Sequence, residues 1–424
     1  MLPSSSLSVL IVTGEYPPAV GGVGDYTQHL AESLAGLGHQ VTVLSSASQT
    51  PDAETSDGPP NPRVLREVAG WGRGLASMVV ATARRAGAHV VHVQYQPAAY
   101  RLSGMINVLP WLTRQAGLST PFVTTFHDLR VPYLFPKAGP LRALAVHALI
   151  GLSRASIFTD PSDLARAHPR RLAAWIPLAP NLPPVTTDVR EMQRSRLQIQ
   201  SDESVVAHFG FLNSTKGVDV LLRAAARLVA SGINLRLLFV GDAEGSSDPI
   251  NHRTARELDA LAESLGLAAR IVRTGYLSPE EVSPALAAAD VAAQPFTDGA
   301  SLRRTSLLAC FAQGIPVVTT RPQRFRHLPE RFRVSPFDDP DAYAITERVA
   351  ALVAKGDHAA LAREIADLLS NVERRERLAA AGRRLAESLS WQNVAIATTK
   401  IYERVTAPQV RATEALTAIA SGTA

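Results

Sequence analysis

Ser8-Val9-Leu10-Ile11-Val12-Thr13, then Gly14-Glu15-Tyr16-Pro17-Pro18-Ala19-Val20-Gly21-Gly22-Val23-Gly24, then Asp25 through Gly38, then Gln40-Val41-Thr42-Val43-Leu44 is the stretch that decides the fold. Its first run is β-branched and apolar without alternation, which predicts a strand buried on both faces. The glycine- and proline-rich run breaks every period and reads as a loop. Asp25 is expected to cap a helix whose apolar face is Leu30, Leu34 and Leu37, with Gly38 stopping it. Strand, loop, helix and strand in that order predict a parallel sheet.

The same plan recurs later in the chain. Strand Ser204–Phe209, loop Gly210–Gly217, helix Val218–Ala230 and strand Leu235–Val240 form a second such unit. Between the two units, strands are expected at His89–Gln94, Phe122–Phe126 and Ser156–Thr159, and Ser45 to Pro62 reads as a surface loop. After the second unit the alternation continues. Helix Thr254–Leu265, strand Arg270–Thr274, helix Pro279–Ala289, strand Val291–Gln294, helix Leu302–Gln313 and strand Pro316–Thr319 are expected. Prolines at 177, 180, 183 and 184 place a linker at Ile176–Pro184. A chain of 424 residues is too long for one ordinary domain, so two doubly wound α/β domains are expected, 1–182 and 183–390. Their ligand loops should lie at the strand carboxyl ends, in a cleft.

Composition narrows the class. Hydrophobic residues at 46% and charged residues at 19%, with no long biased tract, describe a globular protein and exclude a disordered one. The single cysteine, Cys310, excludes an intrachain disulfide or a cysteine metal cage, and its apolar surroundings make it a small core residue. Met1 to Ser8 carry no Lys or Arg ahead of the apolar run, and no apolar stretch approaches the roughly 20 residues of a membrane span. The expected location is therefore the cytoplasm. A net charge of +5 suits an anionic partner or an ordinary basic surface, and no aromatic and basic interleaving points to nucleic acid.

Three glycines between a strand and a helix, Gly21, Gly22 and Gly24, allow close approach of backbone to a ligand, and the helix start favours an anion or phosphate. Their spacing is not G-x-G-x-x-G, and no acidic residue ends the second strand, so a nicotinamide dehydrogenase is a poor reading.

This segment, with its helix and Gly38-His39, resembles the amino-terminal signature of glycosyltransferase family 4. Further matches are Phe209-Gly210-Phe211-Leu212-Asn213-Ser214-Thr215-Lys216-Gly217, Val240-Gly241-Asp242, Thr274-Gly275-Tyr276-Leu277-Ser278, Ala289-Asp290-Val291 and Phe311-Ala312-Gln313-Gly314-Ile315-Pro316-Val317-Val318. Each is weak alone, and their order and spacing are specific together. The resemblance implies GT-B architecture, two Rossmann-like domains facing each other across a cleft, with the helix from Trp391 to about 405 packing back on the first and a loosely held tail at 408–424. It implies a UDP- or GDP-sugar donor held mainly by the second domain, a glycan or lipid-linked acceptor, retention at the anomeric carbon and no required metal or cofactor. Polysaccharide or envelope biosynthesis is the matching context.

Residue by residue, Lys216 matches the family lysine that neutralises donor phosphate, where a leaving diphosphate gathers charge. Phe211 stands where the family usually has arginine. Arg303 and Arg304 read as lying in the first turn of the following helix, an unfavourable place for cations unless an anion sits there, so one of them is expected on the diphosphate, the alternative being that both are solvated or paired with acids. The family's Glu-x7-Glu pair falls on Ser301 and Ala309, and both carboxylates are gone. Gly21, Gly22, Gly241, Tyr276 and Thr305 complete the expected donor side. His127, at the end of a strand, matches a histidine that contacts the sugar near the reacting centre.

Tyr16, Gln94, Tyr95 and Asp128 are the acceptor-side candidates. Leu134 and Phe135 beside Lys137 suit packing on a neighbouring helix, or else a lipid-linked acceptor or peripheral contact at the inner membrane face. The competing class is a catalytically silent nucleotide- or sugar-binding module that kept the cleft and lost the two glutamates.

Overall fold

Apolar runs without alternation can settle only where both faces of a strand are covered, and Val9, Leu10, Ile11 and Val12 of β1 (Ser8–Thr13) are all fully buried. The computed structural model describes residues 6–19, 21–47, 61–129, 139–182, 185, 189–210, 212, 214–241, 249–322 and 328–420. The chain divides into two compact units, one of residues 1–178, 326–340 and 391–424, the other of 179–325 and 341–390.

In the first unit β1 is followed by α1 (Gly22–Gly36), β2 (Gln40–Ser46), β3 (Arg63–Val68), α2 (Leu75–Arg85) and β4 (Val90–Tyr95). Then come α3 (Met105–Gln115), β5 (Phe122–Phe126), α4 (Gly139–Leu152), β6 (Ala155–Phe158), α5 (Pro161–Ala167) and β7 (Leu172–Trp175). The sheet order is β3-β2-β1-β4-β5-β6-β7, and all its pairings are parallel, with Val9 opposite Val41 on one side and Val90 on the other.

The second unit contains α6 (Arg190–Arg196), β8 (Ser204–Phe209), α7 (Val218–Ala230), β9 (Leu235–Val240), α8 (Pro249–Ser264) and β10 (Ile271–Arg273). It continues with α9 (Pro279–Ala287), β11 (Val291–Gln294), α10 (Thr305–Ala312), β12 (Val317–Thr320), β13 (Ala351–Val353), α11 (His358–Ser370) and α12 (Val372–Ser388). Its six strands run β10-β9-β8-β11-β12-β13, again all parallel. Leu221, Leu228, Leu237, Val291 and Ile365 lie in its core.

The closing helix α13 (Trp391–Ala420) belongs to the first unit. His39 Nε2 meets Thr399 Oγ1 at 2.9 Å, His92 Nδ1 meets the Tyr402 hydroxyl at 2.6 Å, and Ile401 and Tyr402 are fully buried. The helix runs past Tyr402 to Ala420. Residues 326–340, which the sequence reading counts with the second half, also cluster with the first unit, where the buried Phe337 ring lies 6.5 Å from Trp175.

Two helix starts differ from expectation. Asp25 is not the cap of α1. The backbone N–H of Asp25 already bonds the Gly21 carbonyl at 3.0 Å, so the helix has begun at Gly22 and Asp25 lies in its first turn. Gly38 ends α1 as expected, at φ 92°, with the His39 N–H returning to the Leu34 carbonyl at 3.1 Å. Likewise α10 begins at Thr305 rather than Leu302, so Arg303 and Arg304 precede the helix. Arg304 is extended and ion-paired with Asp298, and its N–H closes a turn onto the Ser301 carbonyl at 3.1 Å.

Asp290 ties the second unit together. Its Oδ2 accepts from Arg194 and from the Val205 N–H, both at 2.7 Å, and its Oδ1 pairs with Arg190. One carboxylate thus joins α6, the start of β8 and the start of β11. Asp290→Ala is expected to cost about 3 kcal/mol, because it leaves two guanidiniums without their counter-charge and a backbone N–H without its acceptor. Denaturant unfolding checks it, and a midpoint equal to the parent's would refute the clamp.

Candidate active site

In the second unit two glycines with positive φ bracket the loop after β8. Gly210 sits at φ 121° and Gly217 at φ 66°, and a Cβ on Gly217 would fall 2.0 Å from the Pro295 carbonyl oxygen. A short helical turn, Ser214–Lys216, then starts α7. The Lys216 ammonium donates to Ser306 Oγ at 3.0 Å, in the first turn of α10. The Phe296 ring, fully buried, lies 5.3 Å from Lys216 Nζ and 4.9 Å from the Arg304 guanidinium.

Burial, and then the neighbouring Arg304, pull the Lys216 pKa down to about 8. It is still mostly protonated at neutral pH, and an incoming anion would favour its charged form. Below it His208 is fully buried and held neutral, its pKa lowered to about 4 by burial, while its Nδ1 donates to the Ala293 carbonyl at 3.0 Å. Arg304 is therefore a paired cation beside an uncapped helix start, and Lys216 is hydrogen-bonded only to a neutral hydroxyl among the described residues. Arg303 is half-buried and has its own partner.

The other donor-side candidates are more scattered. Gly241, at φ 102°, follows β9, and a Cβ there would lie 3.6 Å from Gly210, so the two glycines adjoin. Tyr276 is 63% exposed, an unusual degree for an aromatic ring. Thr305 is exposed at the first position of α10 and Ser301 is half-buried. Ala309 is fully buried inside α10, so it offers a ligand no side-chain contact. Phe211 and Asp242 lie outside the described residues, as does the loop 131–137.

In the first unit, a Cβ on Gly21 would come within 2.2 Å of a Glu15 carboxyl oxygen. The group closest to the start of α1 is thus the chain's own carboxyl, with Asp25 one turn on. Burial, then the charge of Asp25, raise the Glu15 pKa. The phosphate that the sequence reading expects here would meet two acids. Gly22 by contrast faces open space.

Tyr16 is buried, its pKa raised to about 12 chiefly by burial, and Arg66 donates to the adjoining Pro17 carbonyl at 2.7 Å. Tyr95 is also buried. Its hydroxyl accepts from Asn107 at 2.8 Å and its ring meets Phe126, so its side chain belongs to the core and not to an acceptor surface. Gln94 is fully buried and its Oε1 lies 2.9 Å from His127 Nε2, so it supports His127 from behind. Asp128 is half-buried and partnered.

His127 follows β5, its N–H bonded to the Tyr95 carbonyl at 3.1 Å and its ring against the edge of Tyr26 at 4.6 Å. Burial lowers its pKa to about 3, so it is a neutral imidazole at physiological pH. The structure thus gathers Lys216, Arg304, Asp298, Ser306 and Phe296 in one unit, and His127, Gln94, His92 and Tyr26 in the other. Sequence reasoning passed over Ser306, Phe296 and Asp298. The signal for Phe296 was an aromatic residue just past the buried strand β11, in a position to lie under a cation.

Residues 203–371 match the family "Glycosyl transferases group 1", and residues 21–177 match "Glycosyl transferase 4-like domain". A D-inositol 3-phosphate glycosyltransferase of Rhodococcus opacus (strain B4) is 29% identical over 324 residues, 70% of each chain. One of Xylanimonas cellulosilytica is 26% identical over 425 residues, covering 91% of this chain and 92% of its own. Among solved structures, a sucrose-phosphate synthase of Thermosynechococcus elongatus superposes with TM-score 0.70 at 20% identity, over 94% of this chain and 99% of that one. Anabaena HepE in complex with UDP and glucose also gives 0.70, at 18% identity, over 95% and 100%. No helix among the described residues is long and apolar enough to cross a membrane. With both units a parallel α/β sheet and each half matched by a glycosyltransferase model, the chain is a glycosyltransferase of GT-B fold, with a glycosyltransferase 4-like domain at residues 21–177 and a group 1 domain at residues 203–371.

Proposed function

We propose that the chain moves a sugar, with retention of anomeric configuration, from a UDP- or GDP-sugar to a glycan or glycolipid acceptor of envelope or exopolysaccharide assembly. The observation that carries the reading is the Lys216 ammonium, half-buried in the turn after β8, set over Phe296 and, among the described residues, hydrogen-bonded only to a serine hydroxyl at the uncapped start of α10. A desolvated cation beside a helix N-terminus is a place for a diphosphate, and negative charge growing on the leaving group is where such a cation lowers a barrier. Arg304 adds to the same field, tempered by Asp298. The exposed Tyr276 ring suits stacking on a base.

HepE, solved with UDP and glucose, makes UDP-glucose the first donor to try. The relatives' name adds D-inositol 3-phosphate to the acceptors worth testing. No metal is needed in this reading, because a departing phosphate oxygen takes the acceptor's proton as the new glycosidic bond forms. His127, neutral, serves as a hydrogen-bonding partner for the transferred sugar, the role that resemblance assigns to a histidine at this place.

The uncharged residues at Ser301 and Ala309 favour a second reading, a silent binding module. Calorimetric titration of UDP- and GDP-sugars alongside a turnover assay distinguishes the two, since binding without turnover across donors and acceptors supports the silent module.

Lys216→Ala should lower kcat/KM at least tenfold, about 1.4 kcal/mol, and unchanged kinetics would remove the lysine from the reaction. The pH dependence has a definite sign. The charged form is the useful one and its pKa is lowered to about 8, so kcat/KM should fall as pH rises through about 8. Lys216→Arg, which stays charged, should abolish that alkaline limb; a limb that persists in the arginine variant belongs to another group.

A further inference from the structure

His127 can meet a substrate through only one ring nitrogen, and we infer that the buried chain Tyr402, His92, Gln94 selects which, fixing the proton on Nε2 and leaving Nδ1 as a hydrogen-bond acceptor. The inference rests on the reading of His127 as a sugar-contacting residue. It concerns three positioning residues behind it.

The direction of each bond follows from what the atoms can do. Gln94 Oε1 only accepts, so His127 Nε2, 2.9 Å away, must donate. The Gln94 amide nitrogen only donates, and it lies 3.4 Å from His92 Nε2, which must therefore offer its lone pair. The Thr125 hydroxyl, 2.8 Å from that nitrogen, donates to it as well. The His92 proton then sits on Nδ1 and points at the Tyr402 oxygen, 2.6 Å away. Reversing the Gln94 amide would move the proton to the other nitrogen on both rings, so the two histidines report on each other.

Gln94, His92, Thr125 and Tyr402 are all fully buried, which removes water as a competing partner. The Tyr26 ring, packed between His127 at 4.6 Å and Trp391 at 5.2 Å, restrains the imidazole from the side. Among the described residues His127 Nδ1 has no partner, so the acceptor is kept for a ligand hydroxyl. The titratable groups around His127 are Tyr26 of α1, His92 of β4, Tyr402 of α13 and Asp128 next in the chain. Burial raises both tyrosines and lowers His92 to about 3, so none of these three changes charge near neutral pH. Protonation is thereby suppressed, and tautomer choice is the freedom that remains. It also gives α13 a task beyond packing, since Tyr402 closes the chain of bonds.

Nitrogen NMR of the full-length enzyme labelled with 15N-histidine tests this, with the His127 signals assigned from their loss in His127→Gln. The expected parent spectrum has a protonated Nε2 and a pyridine-like Nδ1 for His127, and the reverse, a protonated Nδ1 and a pyridine-like Nε2, for His92. Gln94→Leu should erase the His127 preference and lower kcat about tenfold, with donor KM changed less than about twofold. Gln94→Glu, which keeps an acceptor in place, should restore the Nε2–H signature. By placing a carboxylate on the ring it should also make His127 titrate, adding an acid limb to kcat that the parent lacks. A parent His127 protonated on Nδ1, or a signature indifferent to Gln94→Leu, would overturn the inference. A signature that shifts in Gln94→Leu while kcat holds would leave the positioning intact and instead remove His127 from the reaction.

Discussion

Parallel pairing is the constraint from which the rest follows. When every strand of a sheet points the same way, every loop that leaves a carboxyl end emerges at one edge, and residues far apart in sequence become neighbours there. In the second sheet that edge gathers Gly210 and Lys216 after β8, Gly241 after β9 and Phe296 after β11. In the first it gathers the Gly14–Gly21 loop after β1, the Gln94 region of β4 and His127 after β5. Reversing a single central strand would carry its following loop, and the residues on it, to the opposite edge.

Burial then decides which of the gathered groups are charged. Three imidazoles, His92, His127 and His208, lose their protons because they lie out of water without an acid partner, and they act as neutral donors and acceptors. Lys216 pays the same desolvation penalty but starts from a much higher pKa, so it stays a cation at neutral pH. The charge near the start of α10 thus comes from Lys216 and Arg304 together with Asp298, and the imidazoles contribute geometry alone.

The departure from the family pattern has a structural expression. Ala309 is enclosed by α10 and its neighbours with no polar atom to offer, while Ser301 lies in the turn ahead of the helix. The role that the resemblance gives to a carboxylate at 309 has no side-chain successor at that position. The turn from Asp298 to Arg304, which the Asp298–Arg304 ion pair holds, carries the departure at Ser301.

Much was legible in the residue order. Strands Ser8–Thr13, Phe122–Phe126, Ser204–Phe209, Leu235–Val240 and Val291–Gln294 and helix Val218–Ala230 stand where their patterns place them, because unbroken β-branched runs and a clear helical stripe have one comfortable environment each. The place of Lys216 in the loop after β8 was legible too, while the role expected of it came from the resemblance. Strands β3, β7 and β13 were not legible, since β3 is half charged and β7 and β13 are only four and three residues long. Nor could local pattern reveal that Tyr95 points into the core, that Arg304 has found Asp298, that Glu15 occupies the start of α1, or that Tyr402 reaches His92 across 310 positions of sequence. Sequence alone determined the alternation of elements and the chemistry available to each loop, since these depend on neighbours in the chain. Which side chains became partners, and which histidines lost their protons, was decided only by the tertiary structure, because hydrogen bonding and desolvation depend on neighbours in space.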